Sequence, residues 1–434
     1  MSNSPKPLAI VAGVRTPFAK MGTDLAGVPA DELGRIAVNA LLARTGLDPS
    51  LIDEVIFGCV AQPADAANVA RVIALRAGIP REVPAVTVHR NCASGCEALT
   101  QAHMRFLAGR GEVFVVGGTE NMSRIPLFFR DEAVEKFRQL SKARSFGEKV
   151  RGIARFRPAD FAPKIGLKLG LTDPVCGLNM GETAEILARE NDITRDMQDE
   201  FALASHQKAI AAREKLGEEI CPVYPVPGLK TLFASDNGPR EGQSLEALAK
   251  LRPVFDRRHG TVTAGNASQI TDGAVALLVM SVEKAEKLGF SPLGFLIGHA
   301  YAGCDPARMG LGPVHAMSRA ESLTGLKLDQ ADLVEINEAF ACQVLAVLKQ
   351  VQSRDVAKTD LNRDNPLGEI DPEILNVNGG SIALGHPVGA TGARLVLTSL
   401  LELKRRRARR ALVTLCVGGG QGAALWLENP EATS

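Results

Sequence analysis

The sequence predicts an α/β fold made of two copies of one βα unit, with a long segment inserted into the first copy. Three observations carry this. Apolar, β-rich runs alternate with stretches of helical periodicity. The same order of elements occurs twice along the 434 residues. Residues 46–58 also align with 325–337 without a gap, and Gly, Leu, Asp and Val coincide.

In the first copy, 8–13 reads as a strand and 31–44 as a helix with Leu33, Ile36, Ala37, Ala40 and Leu41 on one face. Residues 54–58 follow as a strand. Residues 86–95 are a strand leading into a glycine-punctuated turn, with a helix starting near Ala93, and 113–118 are a strand ending in glycines. The second copy repeats this with a strand at 295–298, a helix at 314–323 and a strand at 333–336. A strand and glycine-rich turn at 374–387 and a strand at 411–420 complete the series. The closing strands, 273–278 and 422–427, also match. A short Gly-Gly-Gly-Gln turn precedes the second of them, whereas roughly 150 residues precede the first. The expected organisation is a first half of 1–118 plus 263–285, an inserted segment 119–262, and a second half 286–434. Because αβ alternation favours crossovers, the strands are expected to be parallel.

Composition excludes several classes. With 45% hydrophobic and 23% charged residues, a chain of this length can bury a core and is not disordered. A net charge of +1 gives no global sign of nucleic-acid binding. No apolar run approaches the ~18 residues that span a membrane. Residues 1–7 lack a leader pattern, so a cytoplasmic location is expected. The eight cysteines are scattered, which argues against a disulfide framework. Cys92 and Cys96 have no second pair to face, so no metal site is expected.

Four motifs carry chemistry. In Asn91-Cys-Ala-Ser-Gly95 the cysteine sits beside a helix start, where free N–H groups lower a thiol pKa. Cys92 is therefore a candidate nucleophile. In Gly385-His-Pro387, proline suits the first helical turn, which places His386 where a neutral imidazole is favoured. In Cys416-Val-Gly-Gly-Gly-Gln-Gly422 a thiol at a strand end precedes N–H donors of a glycine turn. In Asn337-Glu-Ala-Phe340 the asparagine closes a strand and can donate a hydrogen bond. Taken singly, each motif also has a purely structural reading. Together they follow the C-terminal ends of inferred parallel strands, where open α/β sheets bind ligands.

On these motifs, with residues 263–268 and the Gly-Gly-Thr-Glu-Asn-Met-Ser run from Gly117, the sequence resembles the thiolase family over nearly its whole length. The resemblance implies a five-layered α-β-α-β-α fold and an acyltransferase using coenzyme A as substrate, without other cofactor or metal. It implies that Cys92 attacks a 3-ketoacyl-CoA, that His386 takes its proton, and that Cys416 protonates the departing C2 carbanion. One oxyanion site would involve His386 and a water held by Asn337; the other would use the N–H groups of Cys92 and Gly418. Ser268, Met180, Phe340 and Ala267 would contact coenzyme A or substrate. A homodimer or homotetramer is expected. One departure is Asn179 before Met180-Gly181, where many thiolases have histidine.

The segment 130–170 holds eleven Lys/Arg and five Asp/Glu, leaving a local +6. Six of the sixteen phenylalanines lie in or just before it, and Val134, Phe137 and Leu140 have helical spacing. It reads as solvated helices, as a basic wall for the coenzyme A phosphates, or as a membrane-surface or partner-docking element. It is similar to the extra segment of β subunits in trifunctional-type β-oxidation complexes, which pair with a hydratase/dehydrogenase α subunit. That similarity favours degradative cleavage over acetoacetyl-CoA formation. A 3-ketoacyl-carrier-protein synthase would lack Cys416 in its glycine context, and a lipid-binding scaffold would not need all four motifs.

Overall fold

A computed structural model describes residues 6–225, 228 and 231–432. Its strands are β1 (Leu8–Arg15), β2 (Ala19–Lys20), β3 (Glu54–Gly58), β4 (Ala85–Val88), β5 (Val113–Asn121), β6 (Leu127–Phe128), β7 (Lys164–Ile165), β8 (Thr271–Ser281), β9 (Gly294–Gly303), β10 (Leu333–Ile336), β11 (Arg410–Val417) and β12 (Gln421–Glu428).

Side-chain alternation along these strands sets the layers. On β8, Ala274, Ala276, Leu278 and Met280 pack with helices Ala30–Thr45 and Val69–Arg76. The residues between them, Val275, Leu277 and Val279, face helices Ser94–Leu107 and Val388–Arg406. On β11, Ala411, Val413 and Leu415 face those same two helices, while Leu412 turns toward helices Gly312–Thr324 and Ala341–Gln350. The result is the expected five layers, with a shared central layer of one helix from each half.

The strand order is β10-β11-β12-β9-β1-β8-β5-β3-β4, with β2 on β8. Each half runs in the same sense from the middle outward: β1-β8-β5-β3-β4 and β9-β12-β11-β10. The halves join where β1 pairs antiparallel with β9. The expectation of parallel strands needs correction. The outer pairs β3–β4, β3–β5 and β10–β11 are parallel, but β5–β8, β1–β8, β11–β12 and β12–β9 are antiparallel. In the second half the cause is the Gly418–Gly420 turn. Gly419 and Gly420 have φ of 88° and 75°, and that left-handed pair folds the chain straight back.

The coincident residues of the repeat play the same parts twice. Gly46 (φ 64°) and Gly325 (φ 73°) end helices Ala30–Thr45 and Gly312–Thr324. Asp53 Oδ2 accepts from the N–H groups of Glu112 and Val113 at 2.7 and 2.9 Å. Asp332 Oδ2 accepts from those of Arg409 and Arg410, both at 2.8 Å. Each aspartate thus fixes the start of the neighbouring strand.

A second correction concerns the strand expected at 374–377. Only Leu375 bridges Val334 there. Asn376 turns into the left-handed region (φ 43°), and its side chain both accepts from Ile336 N (2.8 Å) and donates to Ile336 O (2.9 Å). A side chain thereby replaces the ladder that a strand would supply.

Between β5 and β8 the chain forms a β6–β7 ribbon and short helices, including Asp131–Lys142, Phe146–Ile153 and Gly166–Gly170. This segment is pinned to the sheet by Arg15. That guanidinium is nearly inaccessible and grips Asp236 with two bonds of 2.7 and 2.8 Å. No described helix is long and apolar enough to cross a membrane.

Candidate active site

The chain leaves β4 through His89-Arg90-Asn91. Asn91 takes a left-handed turn (φ 42°), which asparagine tolerates better than most residues. Its carbonyl accepts from Ser94 N (3.0 Å) and Ser94 Oγ (2.7 Å). The helix begins at Ser94 with Ala93 as N-cap, so Cys92 lies just ahead of it, not within its first turn. The expected lowering of the thiol pKa does not hold. Burial pushes the Cys92 thiol up, and the Gly418 N–H directed at its sulfur offsets this only in part. Resting Cys92 is a thiol that needs a base.

His386 lines the same cavity as Cys92. It is one residue ahead of Pro387, which caps helix Val388–Arg406 from outside instead of occupying its first turn. Its Nδ1 is 2.7 Å from Thr391 Oγ1, and the Thr391 hydroxyl donates to Pro387 O at 3.0 Å. A hydroxyl has one proton. With that proton on a carbonyl, Thr391 accepts, His386 donates from Nδ1, and Nε2 carries the free lone pair. Burial, then the nearby Arg394 charge, lowers the imidazole pKa to about 3. The ring is therefore neutral, as the sequence suggested.

Cys416 lies on β11, buried, two residues before the Gly418 turn. Burial and the neighbouring Cys92 hold its thiol well above the ordinary value. Asn337 follows β10 and is fully buried; its backbone N–H donates to Thr414 O at 3.0 Å. Its side chain lies behind the histidine, with Nδ2 3.5 Å from His386 Nε2.

One cavity of about 770 Å³ brings these groups together. Cys92, His386, Cys416 and Gly418 line it, with Ser268, Met180 and Phe340. Asn337 does not line it but backs it through His386. Ala267 is not among the lining residues; its backbone bridges Phe340. Met180 opens helix Met180–Glu190. There Asn179, the departure noted above, is the N-cap, its side chain accepting from Gly181 N at 3.1 Å. One wall is apolar: Ile125, Phe128, Leu167, Leu169, Leu171 and Val175. Leu167 and Leu169 come from helix Gly166–Gly170, the end of the basic segment, so that segment reaches the site itself.

Sequence reasoning gave no role to Glu120, Thr391 or Asn91. Glu120 lines the cavity and accepts from the N–H groups of Val60 (3.0 Å), Ala61 (2.8 Å) and Gly389 (2.8 Å). Its available signal was the polar Thr119-Glu120-Asn121 run that continues the apolar start of β5. Among the described residues, no group of three or more His, Cys, Asp or Glu is placed to hold a metal ion.

Residues 8–283 match the family model of the thiolase N-terminal domain and 290–429 that of the thiolase C-terminal domain. The chain is 42% identical to a 3-ketoacyl-CoA thiolase of Pectobacterium atrosepticum over 424 residues, covering 97% of this chain and 96% of the relative. It is 41% identical to one of Serratia proteamaculans over the same length, again 97% and 96%. Among solved structures, a Bacillus anthracis acetyl-CoA acetyltransferase superimposes with a TM-score of 0.85 at 38% identity, over 99% and 100% of the two chains. Human mitochondrial 3-ketoacyl-CoA thiolase in complex with CoA gives 0.83 at 36%, over 98% of each. The duplicated halves, the shared cleft and these end-to-end matches have one explanation: the chain belongs to the thiolase family.

Proposed function

We propose that this chain is an acyltransferase that cleaves 3-ketoacyl-CoA with coenzyme A, giving acetyl-CoA and a shortened acyl-CoA, as in fatty-acid β-oxidation. Two thiols and a neutral imidazole lining one cavity are the observation that carries this reading. Cys92 gives its proton to His386 Nε2 and its sulfur attacks the 3-keto carbonyl. The C2–C3 bond breaks, leaving the acyl group on Cys92 and the electron pair on C2, which takes the Cys416 proton. The coenzyme A thiol then passes its proton to Cys416 and attacks the acyl-cysteine; Cys92 leaves and recovers its proton from His386. Donors near His386 and Asn337 hold one oxyanion, and the N–H groups of Cys92 and Gly418 hold the other. Ser268, Met180 and Phe340 form the coenzyme A and substrate surround, with Ala267 supporting Phe340 through its backbone bridge. Coenzyme A enters as substrate, with no further cofactor or metal.

The apolar wall supports acyl chains longer than acetyl. Coenzyme A release measured across 3-ketoacyl-CoA lengths tests this. Turnover of medium and long substrates is expected; activity on acetoacetyl-CoA alone would overturn the degradative reading.

The division into 1–118 plus 263–285, 119–262 and 286–434 belongs to the same proposal. So does a homodimer or homotetramer, supported by β4, an uncovered sheet edge whose four residues are all part-exposed. A cytoplasmic enzyme that touches membranes or an α subunit through 130–170 completes the reading. Helix Phe146–Ile153 supports that contact, since Phe146, Val150 and Ile153 form one stripe and are 84%, 51% and 61% exposed.

A further inference from the structure

A buried chain of polar groups runs from Glu335 to the catalytic histidine. Glu335 Oε2 is 3.3 Å from Arg394 Nη1, and Arg394 Nη2 is 3.5 Å from Ser381 Oγ. Ser381 Oγ is 2.6 Å from Asn337 Oδ1, and Asn337 Nδ2 is 3.5 Å from His386 Nε2. Arg394, Ser381 and Asn337 are all fully buried, so water does not compete for these groups.

The chain has a direction. A guanidinium only donates, and a serine hydroxyl has one proton. Facing Arg394, the Ser381 oxygen accepts, so its proton points to the amide oxygen of Asn337. That bond fixes which end of the amide is which. Flipping Asn337 would set its NH₂ against the serine donor side and turn its oxygen toward the lone pair on His386 Nε2.

We infer that Ser381 is a positioning residue for the carbon–carbon step, its hydroxyl locking the Asn337 amide with Nδ2 toward His386. This rests on the proposed reading in which Asn337 helps hold the oxyanion of the departing acetyl-CoA enolate. Acyl transfer to and from Cys92 uses the other oxyanion site and does not need Asn337. Ser381 therefore controls one half of the reaction and not the other.

The test compares two rates in Ser381→Ala, Ser381→Thr and Asn337→Ala: cleavage of a 3-ketoacyl-CoA, and exchange of a simple acyl group between coenzyme A molecules through Cys92. Ser381→Ala should slow cleavage about tenfold or more, because a displaced catalytic group costs on that order, and leave exchange within about twofold. Ser381→Thr, which keeps the hydroxyl, should restore most of the cleavage rate. Ser381→Ala placed on Asn337→Ala should add little. Equal loss of both rates, unchanged cleavage in Ser381→Ala, or threonine no better than alanine would overturn the inference. If Asn337→Ala itself cleaves at the wild-type rate, the role given to Asn337 fails first, and the two failures are distinguished.

Discussion

Asn91 Nδ2 donates to the Gly418 carbonyl across 2.6 Å, so a side chain of the first half holds the glycine turn of the second. The same turn directs the Gly418 N–H at Cys92. Asn91→Ala removes this tie and places alanine at a positive φ. We expect a stability loss of about 1–3 kcal/mol and a fall of tenfold or more in cleavage rate. Urea denaturation and steady-state kinetics measure the two; an unchanged rate would mean the turn holds its place unaided.

The two thiols should separate by function. Cys92→Ala should abolish covalent labelling by acyl-CoA, read by mass spectrometry of the intact protein. Cys416→Ala should spare acyl exchange yet block cleavage, because no acid then meets the C2 carbanion. Labelling that survives in the first variant, or equal loss of both rates in the second, contradicts the assignments.

His386 gives a pH signature. Its pKa falls from 6.5 to about 3 in the folded protein, through burial and then Arg394. Below pH 6.5 the unfolded chain binds a proton that folded His386 refuses. Its contribution to stability is thus present above 6.5 and lost as pH falls toward 3, by up to about 1.4 kcal/mol per pH unit. Urea midpoints at pH 7 and 5 should drop less in His386→Gln than in wild type. The cleavage rate should show no protonation limb near 6.5.

The apolar wall should set chain length. Leu167→Trp fills space in the cavity that Phe128 and Val175 also line. Medium and long 3-ketoacyl-CoA substrates should lose about tenfold or more in kcat/KM, while acetoacetyl-CoA changes little. Uniform loss across lengths would place the acyl chain elsewhere.

The exposed stripe of helix Phe146–Ile153 should matter for membranes. The protein should co-sediment with vesicles containing anionic lipid, and a variant with Phe146, Val150 and Ile153 all changed to Ser should do so several-fold less. Equal sedimentation of the two would leave that face without a membrane role.

Much of this was legible in the sequence, for physical reasons. The strands at Glu54–Gly58 and Leu333–Ile336 have the bounds their apolar runs predict, because burial on both faces writes itself as a continuous run. The repeat was legible because Gly46 and Asp53 do jobs that Gly325 and Asp332 repeat. Helix Asp131–Lys142 follows from the spacing of Val134, Phe137 and Leu140. Cys92, His386 and Cys416 stand out because each lies within three residues of a glycine in a turn that follows an inferred strand. What stayed hidden depends on side chains meeting across sequence. Asn376 standing in for a strand needs Ile336, forty residues away. The tautomer of His386 needs the direction of the Thr391 proton. Cys92 reads as activated by a nearby helix until burial is weighed against the helix end, and burial wins.

The central layer holds one helix from each copy, and they touch where neither has room. A methyl on Gly95 would lie 2.6 Å from the Ala393 nitrogen, and one on Gly392 would lie 2.6 Å from the Cys96 nitrogen. The two copies are therefore not free to drift apart in sequence. Each clash is with backbone, which no smaller side chain on the facing helix can remove, so both positions should stay glycine. A backbone break between β8 and β9 would likewise split the cavity lining: one fragment would carry Cys92 without His386 or Cys416, the other the reverse.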